Sequence, residues 1–253
     1  MELNLENKLF LVTAASRGLG YSVAKSLVNE NAQVIICSRN EESLQAAVDS
    51  LGSDAQYVVA DLSKHDDIQS LMSAVKELSP HLDGLFVNAG GPPPGEFSDL
   101  SDSEWVEAFN LTLMSAVRLT RECLPLLRKT STPSILYSTS ISVKQPISNL
   151  LLSNSLRPAV IGMMRTLADE VGPEGIRINA ICPGYIQTER VTQLLSASKD
   201  QSFRDSLLSK IPLRRIGEPE EFGAICTFLL SPLASYIHGA LLLVDGGLYQ
   251  GMM

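Results

Sequence analysis

Short apolar runs alternate along the chain with longer segments in which apolar residues recur every three or four positions. Runs that are apolar throughout are typical of parallel strands buried on both faces, and the longer segments are typical of amphipathic helices. The predicted strands span residues 8–13, 32–38, 55–60, 83–88, 134–139, 176–182 and 240–245. The predicted helices span residues 18–30, 41–51, 65–78, 103–128, 151–171 and 218–230. This order predicts an α/β protein: a doubly wound domain with a seven-stranded parallel sheet and helices on both faces.

One segment departs from this alternation. Residues 189–215 are polar and helical in pattern, and they follow the sixth predicted strand, where a lid over a cleft is expected. The sequence contains no internal repeat, linker or low-complexity tract. We therefore predict a single domain over residues 1–253 with a lid-like segment at 189–215.

Composition limits the classes of partner. The chain has 253 residues, 45% of them hydrophobic, which suffices for one well-buried domain. A formal net charge of −8 argues against nucleic acid or anionic membranes as main partners. The N-terminus has no continuous apolar region, and no apolar stretch is long enough to span a membrane. We expect no signal peptide, no membrane partner and a cytoplasmic location.

The cysteines are far apart in sequence and lie in apolar runs. A metal site requires paired spacing of its ligands, so we predict buried thiols in a reducing cytosol and no metal. They are Cys37, Cys123, Cys182 and Cys226.

A glycine-containing turn connects the first predicted strand to the first helix. Small residues there let the backbone approach a diphosphate, and the helix N-terminus supplies N–H donors and the positive end of the helix dipole. The strand–turn–helix context predicts a dinucleotide site in a Rossmann-type fold, with an ordinary βα turn as the alternative. The candidate cofactor-binding residues of this turn are Thr13, Ala15, Ser16, Arg17, Gly18, Leu19 and Gly20.

With this turn, the sequence resembles the short-chain dehydrogenase/reductase family, whose pattern is Thr-Gly-x-x-x-Gly-x-Gly. Ala14 stands at the first glycine of that pattern. The resemblance runs in ordered motifs from about residue 6 to 249 and is greatest to the 3-oxoacyl-(acyl-carrier-protein) reductase-like branch. It implies contacts to the adenine, the sheet edge and the nicotinamide by Asp61, Leu62, Asn88, Ala89, Gly90, Pro183, Gly184, Ile186 and Thr188.

The end of the second predicted strand bears on cofactor choice. NAD-preferring relatives usually place an acidic residue there, where it binds the ribose 2′-OH and repels a 2′-phosphate. This chain has Ser38, which can donate to phosphate oxygens, and Arg39, which can form charge-assisted bonds to them. Arg17 resembles the second basic residue of NADP-preferring members. We predict a preference for NADP(H) over NAD(H), with solvated surface arginines as the alternative.

The resemblance also implies a catalytic set of Asn, Ser, Tyr and Lys. Asn110 and Ser140 match the first two. The tyrosine position, thirteen residues after the serine, holds Ser153, and the lysine position, four further, holds Arg157. Serine is a far weaker acid than tyrosine. Arg157 keeps a positive charge that can bind the nicotinamide ribose, but it cannot lose a proton at ordinary pH.

Two tyrosines are candidates for a substitute acid. Tyr137 is predicted to point away from the site, whereas Tyr185 is expected on the loop beside the nicotinamide, as an acid or as a cover for the cofactor. The proline loop Gly90–Gly95 is expected to border the cleft, as a shaped wall or as a rigid connector.

Three functions are compatible with these residues. The first is an NADP(H)-dependent oxidoreductase acting on a small-molecule carbonyl/alcohol pair. The second is a non-catalytic NADP(H)-binding scaffold or regulatory protein, and the third is different chemistry, such as dehydration or epimerisation. The resemblance implies a homotetramer or homodimer.

Overall fold

All seven predicted strands are present in the structure, which is a computed structural model and describes residues 2–189, 191–192 and 201–252. Each observed strand lies within a residue or two of its predicted bounds, because a continuous apolar run marks the whole length of a doubly covered strand. The strands are β1 Leu9–Thr13, β2 Gln33–Ser38, β3 Ala55–Val59, β4 Gly84–Val87, β5 Ser134–Ser138, β6 Arg177–Pro183 and β7 Leu241–Val244.

The strands form one parallel sheet in the order β3-β2-β1-β4-β5-β6-β7. The predicted fold class is therefore confirmed. The chain runs outward from β1 to β3, then crosses back to β4 on the other side of β1. At such a reversal the loops after the strands diverge and leave a crevice at the carboxyl edge of the sheet, where ligands of open α/β sheets bind.

Helices cover both faces of the sheet. The described helices are α1 Gly18–Asn29, α2 Glu41–Leu51, α3 His65–Leu78, α4 Asp102–Phe109, α5 Ser115–Leu127, α6 Leu151–Val171, α7 Gln201–Lys210 and α8 Pro219–Leu230.

The predicted helix over 103–128 is helical over Asp102–Leu127, but it is not α-helical throughout. It divides into α4 and α5, which a π-helical turn at Asn110–Met114 separates. A hydrophobic pattern cannot reveal such a turn, since one extra residue changes the backbone hydrogen bonds without adding a breaker residue. The start of α4 is readable, because Ser101 and Glu104 form a capping box.

The core lies in two layers, as strand alternation requires. Leu11 of β1 faces one layer, whereas its neighbours Phe10 and Val12 face the other. The first layer packs the sheet against α3, α5 and α6, and the second packs it against α1, α2 and α8. All four cysteines are buried free thiols, as predicted, and burial raises the pKa of Cys37 to about 12.

The predicted lid at 189–215 falls partly outside the described residues, which omit 190 and 193–200. Its described part contains α7 and the return to the sheet. The Gln187 amide donates to the Gly217 carbonyl (2.8 Å), and the Gly217 amide donates to the Tyr185 carbonyl (3.0 Å). The two ends of this segment are thereby held together just after β6. None of the described helices has both the length and the apolar character of a membrane span.

Candidate nucleotide site and active site

The turn after β1 has a left-handed backbone at two positions. Ala14 has φ +49° and Gly18 has φ +61°. The left-handed region costs an L-residue about 1–2 kcal/mol, so Ala14 occupies a conformation that suits glycine better. Asn88 supports the turn, because its side-chain amide donates to the Ala14 carbonyl (3.3 Å). Asn88 is also tied to β1, since its backbone amide donates to Thr13 Oγ1 (2.8 Å).

The same turn fits a diphosphate. A Cβ built on Gly20 would lie 2.4 Å from the Ala14 carbonyl oxygen, so only glycine lets the first turn of α1 pack this closely against the loop. The first turn of α1 carries no acidic side chain. Its free N–H groups and the helix dipole therefore face the crevice without a competing carboxylate.

The ends of β2 and β3 bring Ser38, Arg39 and Asp61 to one side of this turn. Arg39 is exposed. Partial burial opposes ionisation of Asp61, but hydrogen bonds from Ser63 and the charges of Arg39 and Lys64 hold the pKa of Asp61 below its usual value. The exposed Arg39 guanidinium thus lies just after β2, near the position where a carboxylate would repel a 2′-phosphate.

Arg17 forms an exposed ion pair with Glu189, on the segment that follows β6. A Cβ on Gly18 would lie 3.7 Å from the Thr188 methyl carbon. The start of the predicted lid segment therefore lies against the glycine turn. The Glu189 carboxylate partly neutralises the positive charge of Arg17.

The loop after β6 packs tightly on the end of β7. The Gly184 amide donates to the Val244 carbonyl (2.9 Å), and a Cβ on Gly184 would lie 2.8 Å from Cβ of Asp245. Pro183 and Ile186 are buried beside it, and Thr188 begins a helical turn by accepting from the Thr192 amide (2.8 Å).

Three serines form a hydroxyl cluster at the carboxyl end of β5. Ser140 Oγ accepts a hydrogen bond from the Ser142 amide (3.0 Å). The Ser142 and Ser153 hydroxyl oxygens lie 3.1 Å apart, and both side chains are buried. Ser153 on α6 therefore reaches the Ser140 loop through Ser142. Sequence reasoning missed Ser142, because its contact with Ser153 depends on how the loop after β5 folds against α6.

Arg157, one turn further along α6, holds the strand end just before this cluster. Its Nη1 donates to the carbonyl oxygens of Thr139 (2.8 Å) and Ser138 (3.3 Å). The guanidinium thus fixes the backbone that leads into Ser140.

Asn110 and Thr112 take different places around the π-helical turn. Asn110 Oδ1 accepts from Arg118 Nη2 at 3.5 Å. Thr112 instead lines a cavity of about 20 Å³, and its buried hydroxyl has no hydrogen-bond partner among the described residues. Thr112 and Arg157 therefore line the same small cavity. The cavity is lined by Val87, Ala89, Thr112, Ser115, Ala116, Tyr137, Ser138, Thr139, Arg157 and Val160.

Neither tyrosine is a ready acid. Tyr137 is buried in the core layer under α5 and α6, where it lines the same small cavity as Arg157. The Tyr137 hydroxyl is bonded to Thr120 Oγ1 (2.7 Å), and burial raises its pKa. Burial also raises the pKa of Tyr185, which is half-buried.

The proline loop meets the start of α6. The Gly95 amide donates to the Asn149 carbonyl (3.0 Å), and the Leu151 amide donates to the Gly95 carbonyl (3.5 Å). The loop after β4 is thereby joined to the helix that carries Ser153.

Comparison with known proteins places this arrangement in a family. A family model described as enoyl-(acyl carrier protein) reductase matches residues 13–249. Human dehydrogenase/reductase SDR family member 4 is 31% identical over 248 residues, which cover 96% of this chain and 88% of the relative. The 3-oxoacyl-(acyl-carrier-protein) reductase of Vibrio cholerae is 30% identical over 248 residues, which cover 98% of this chain and 100% of the relative.

Two solved structures are similar over nearly the whole chain. L-sorbose reductase from Gluconobacter frateurii, complexed with NADPH and L-sorbose, has a TM-score of 0.94 at 27% identity and covers 100% of both chains. An NADPH-bound short-chain oxidoreductase from Pseudomonas aeruginosa PAO1, which contains an atypical catalytic center, has a TM-score of 0.90 at 27% identity. That match covers 97% of this chain and 99% of the other. The motifs, the sheet order and these matches agree: the chain belongs to the short-chain dehydrogenase/reductase family.

Proposed function

We propose that this protein is an NADP(H)-dependent oxidoreductase acting on a carbonyl/alcohol pair, with a divergent catalytic set of Asn110, Ser140, Ser153 and Arg157. The hydroxyl cluster at the end of β5, held by Arg157 on the same sheet edge as the glycine turn, carries this proposal. A substrate bound between the hydroxyl cluster and the glycine turn would have hydrogen-bond donors on one side and the cofactor on the other.

The residues present fit NADP(H), which when bound supplies or takes the hydride. The glycine turn and the N-terminus of α1 would hold the diphosphate, and Ser38 and Arg39 would hold the 2′-phosphate. Arg17, which is paired with Glu189, would add a second positive charge. The NADPH-bound relatives support this cofactor, and one of them contains an atypical catalytic center.

The chain's own groups then act on the carbonyl. Ser140 hydrogen-bonds the carbonyl oxygen, and Arg157 supplies a fixed positive charge close to it. The proton that follows the hydride comes from solvent and is relayed by Ser153 or by water, because Arg157 cannot release one. A positioned acid contributes roughly 10²–10⁴-fold, so turnover is expected to be slow without the tyrosine.

A non-catalytic scaffold is the second candidate, and one observation favours it. Ser153 is buried and its hydroxyl lies against Ser142, so little of its surface is open to a substrate. In that case the nucleotide would bind without turnover.

The oligomeric state, a homotetramer or homodimer, also stays a prediction. Sedimentation at two protein concentrations tests it.

Calorimetric titration with NADPH and with NADH tests the cofactor assignment. We expect tight NADPH binding and much weaker NADH binding. Arg39→Ala should weaken NADPH binding by about ten- to a hundredfold, because a charge-assisted bond contributes about 1.5–3 kcal/mol, and leave NADH binding unchanged. Arg121→Ala, at an exposed arginine on α5, is the matched control. Equal affinities for the two nucleotides would contradict the assignment, and no binding of either would refute the nucleotide site.

The Arg17–Glu189 ion pair leads to a second prediction. Glu189→Gln should raise NADPH affinity by about two- to fivefold, because an exposed pair is worth little but its carboxylate repels the phosphate. The Arg215–Glu221 ion pair, which is also exposed, provides the control, and Glu221→Gln should leave the affinity unchanged. A lower affinity in Glu189→Gln would show that Glu189 assists binding instead.

A further inference from the structure

Ser142 contacts both candidate catalytic hydroxyls, each through a different group. It lies in the single helical turn Ile141–Val143 after β5. Its backbone N–H donates to Ser140 Oγ (3.0 Å), and its hydroxyl lies 3.1 Å from Ser153 Oγ. No other residue described in the structure bonds both serines.

The surroundings make the direction of these bonds matter. Ser142 and Ser153 are 4% and 6% exposed, and within the described residues their hydroxyls have only each other as side-chain partners. Each hydroxyl has one proton to donate. In a pair of hydroxyls, one donates and the other accepts, so the accepting group keeps its own proton for a third atom.

We propose that Ser142 is a positioning residue that turns Ser140 and Ser153 into two hydrogen-bond donors for one substrate oxygen. Ser142 donates its N–H to Ser140 and its O–H to Ser153. Both of those oxygens then act as acceptors toward Ser142, and both of their protons remain available to the substrate. The inference rests on the proposed carbonyl/alcohol function.

Two such donors suit a carbonyl oxygen that gains negative charge as the hydride arrives at its carbon. Prearranged donors at that oxygen stabilise the transition state, and loss of one donor typically lowers turnover by about 10²–10³-fold. The arrangement gives Ser153 a role that does not require the acidity of a phenol, because a hydrogen-bond donor need not release its proton. The final proton can then come from water.

A matched pair of variants tests this role. Ser142→Val and Ser142→Thr have similar volumes, and only the threonine keeps the hydroxyl. We expect Ser142→Val to lower kcat for carbonyl reduction by about ten- to a hundredfold with the KM for NADPH unchanged. Ser142→Thr should restore most of the rate. Equal values of kcat in the two variants, or a rise in the KM for NADPH with kcat unchanged, would overturn the proposal.

A double-mutant cycle tests the hydroxyl pair without any activity. Ser142→Ala and Ser153→Ala should each lower stability in urea unfolding, because each leaves a buried hydroxyl without its partner. The double variant should lose less than the sum of the two single losses. Strict additivity would overturn the proposal, since the hydroxyls would then not interact. If the cycle shows coupling but the protein has no carbonyl reductase activity, the proposed function is refuted, whereas the hydrogen bond between the two hydroxyls is supported.

Discussion

Replacing Gly20 by alanine is expected to abolish nucleotide binding. The new Cβ would lie 2.4 Å from the Ala14 carbonyl oxygen and 2.9 Å from the Ala15 Cα, and both are backbone atoms that cannot swing away. The glycine turn would have to separate from α1, which moves the N–H groups that face the diphosphate. We expect the NADPH affinity to fall by at least about a hundredfold and the free energy of unfolding to fall by about 1–3 kcal/mol.

The control for Gly20→Ala is the same substitution at Gly162 on α6. Gly162 is exposed, and its new Cβ would meet no heavy atom within 4 Å. Alanine favours a helix interior over glycine by about 1 kcal/mol, so Gly162→Ala should stabilise the protein and leave NADPH binding unchanged. Calorimetric titration and urea unfolding measure both variants. A Gly20→Ala protein that binds NADPH as tightly as the unsubstituted chain would show that the turn can open without loss of the site.

The sheet could be predicted from the sequence because each of its strands carries its own signal. A strand covered on both faces is apolar along its whole length, as Val34–Cys37 of β2 shows, and that signal needs no tertiary information. The glycine turn was equally readable, since its spacing lies within one strand–turn–helix unit. The π-helical turn at Asn110–Met114 could not be predicted, because nothing in the local pattern distinguishes it from an α-helix.

The side-chain geometry of the site could be predicted only in part, because its contacts join distant parts of the chain. Arg17 and Glu189 meet across 172 positions, and no local pattern pairs them. The Ser142–Ser153 contact depends on how the loop after β5 folds against α6. Thr112 of the π-helical turn likewise lines one cavity with Arg157 of α6. Residue types could be assigned from spacing, whereas their partners required the fold.

In the proposed catalytic set, none of the described residues is an acid strong enough to deliver a proton. The double substitution Ser153→Tyr with Arg157→Lys is therefore expected to raise the rate of carbonyl reduction, by up to about 10²–10⁴-fold. Tyrosine brings a phenol whose pKa a neighbouring cation lowers, and lysine supplies that cation on the same face of α6, four residues away. The larger side chain must leave the buried place that Ser153 shares with Ser142 and extend toward the cleft.

The matched control replaces Ser153 by phenylalanine together with Arg157→Lys, because phenylalanine has the ring of tyrosine without its hydroxyl. If the phenol acts as the acid, only the tyrosine variant gains rate, and the gain declines at high pH as the phenol ionises. A gain shared by both variants would come from the altered pocket rather than from proton delivery. An unchanged rate in a correctly folded tyrosine variant that still binds NADPH would contradict the proposed missing-acid site. The scaffold function would then account better for a nucleotide site whose hydroxyls are turned toward each other.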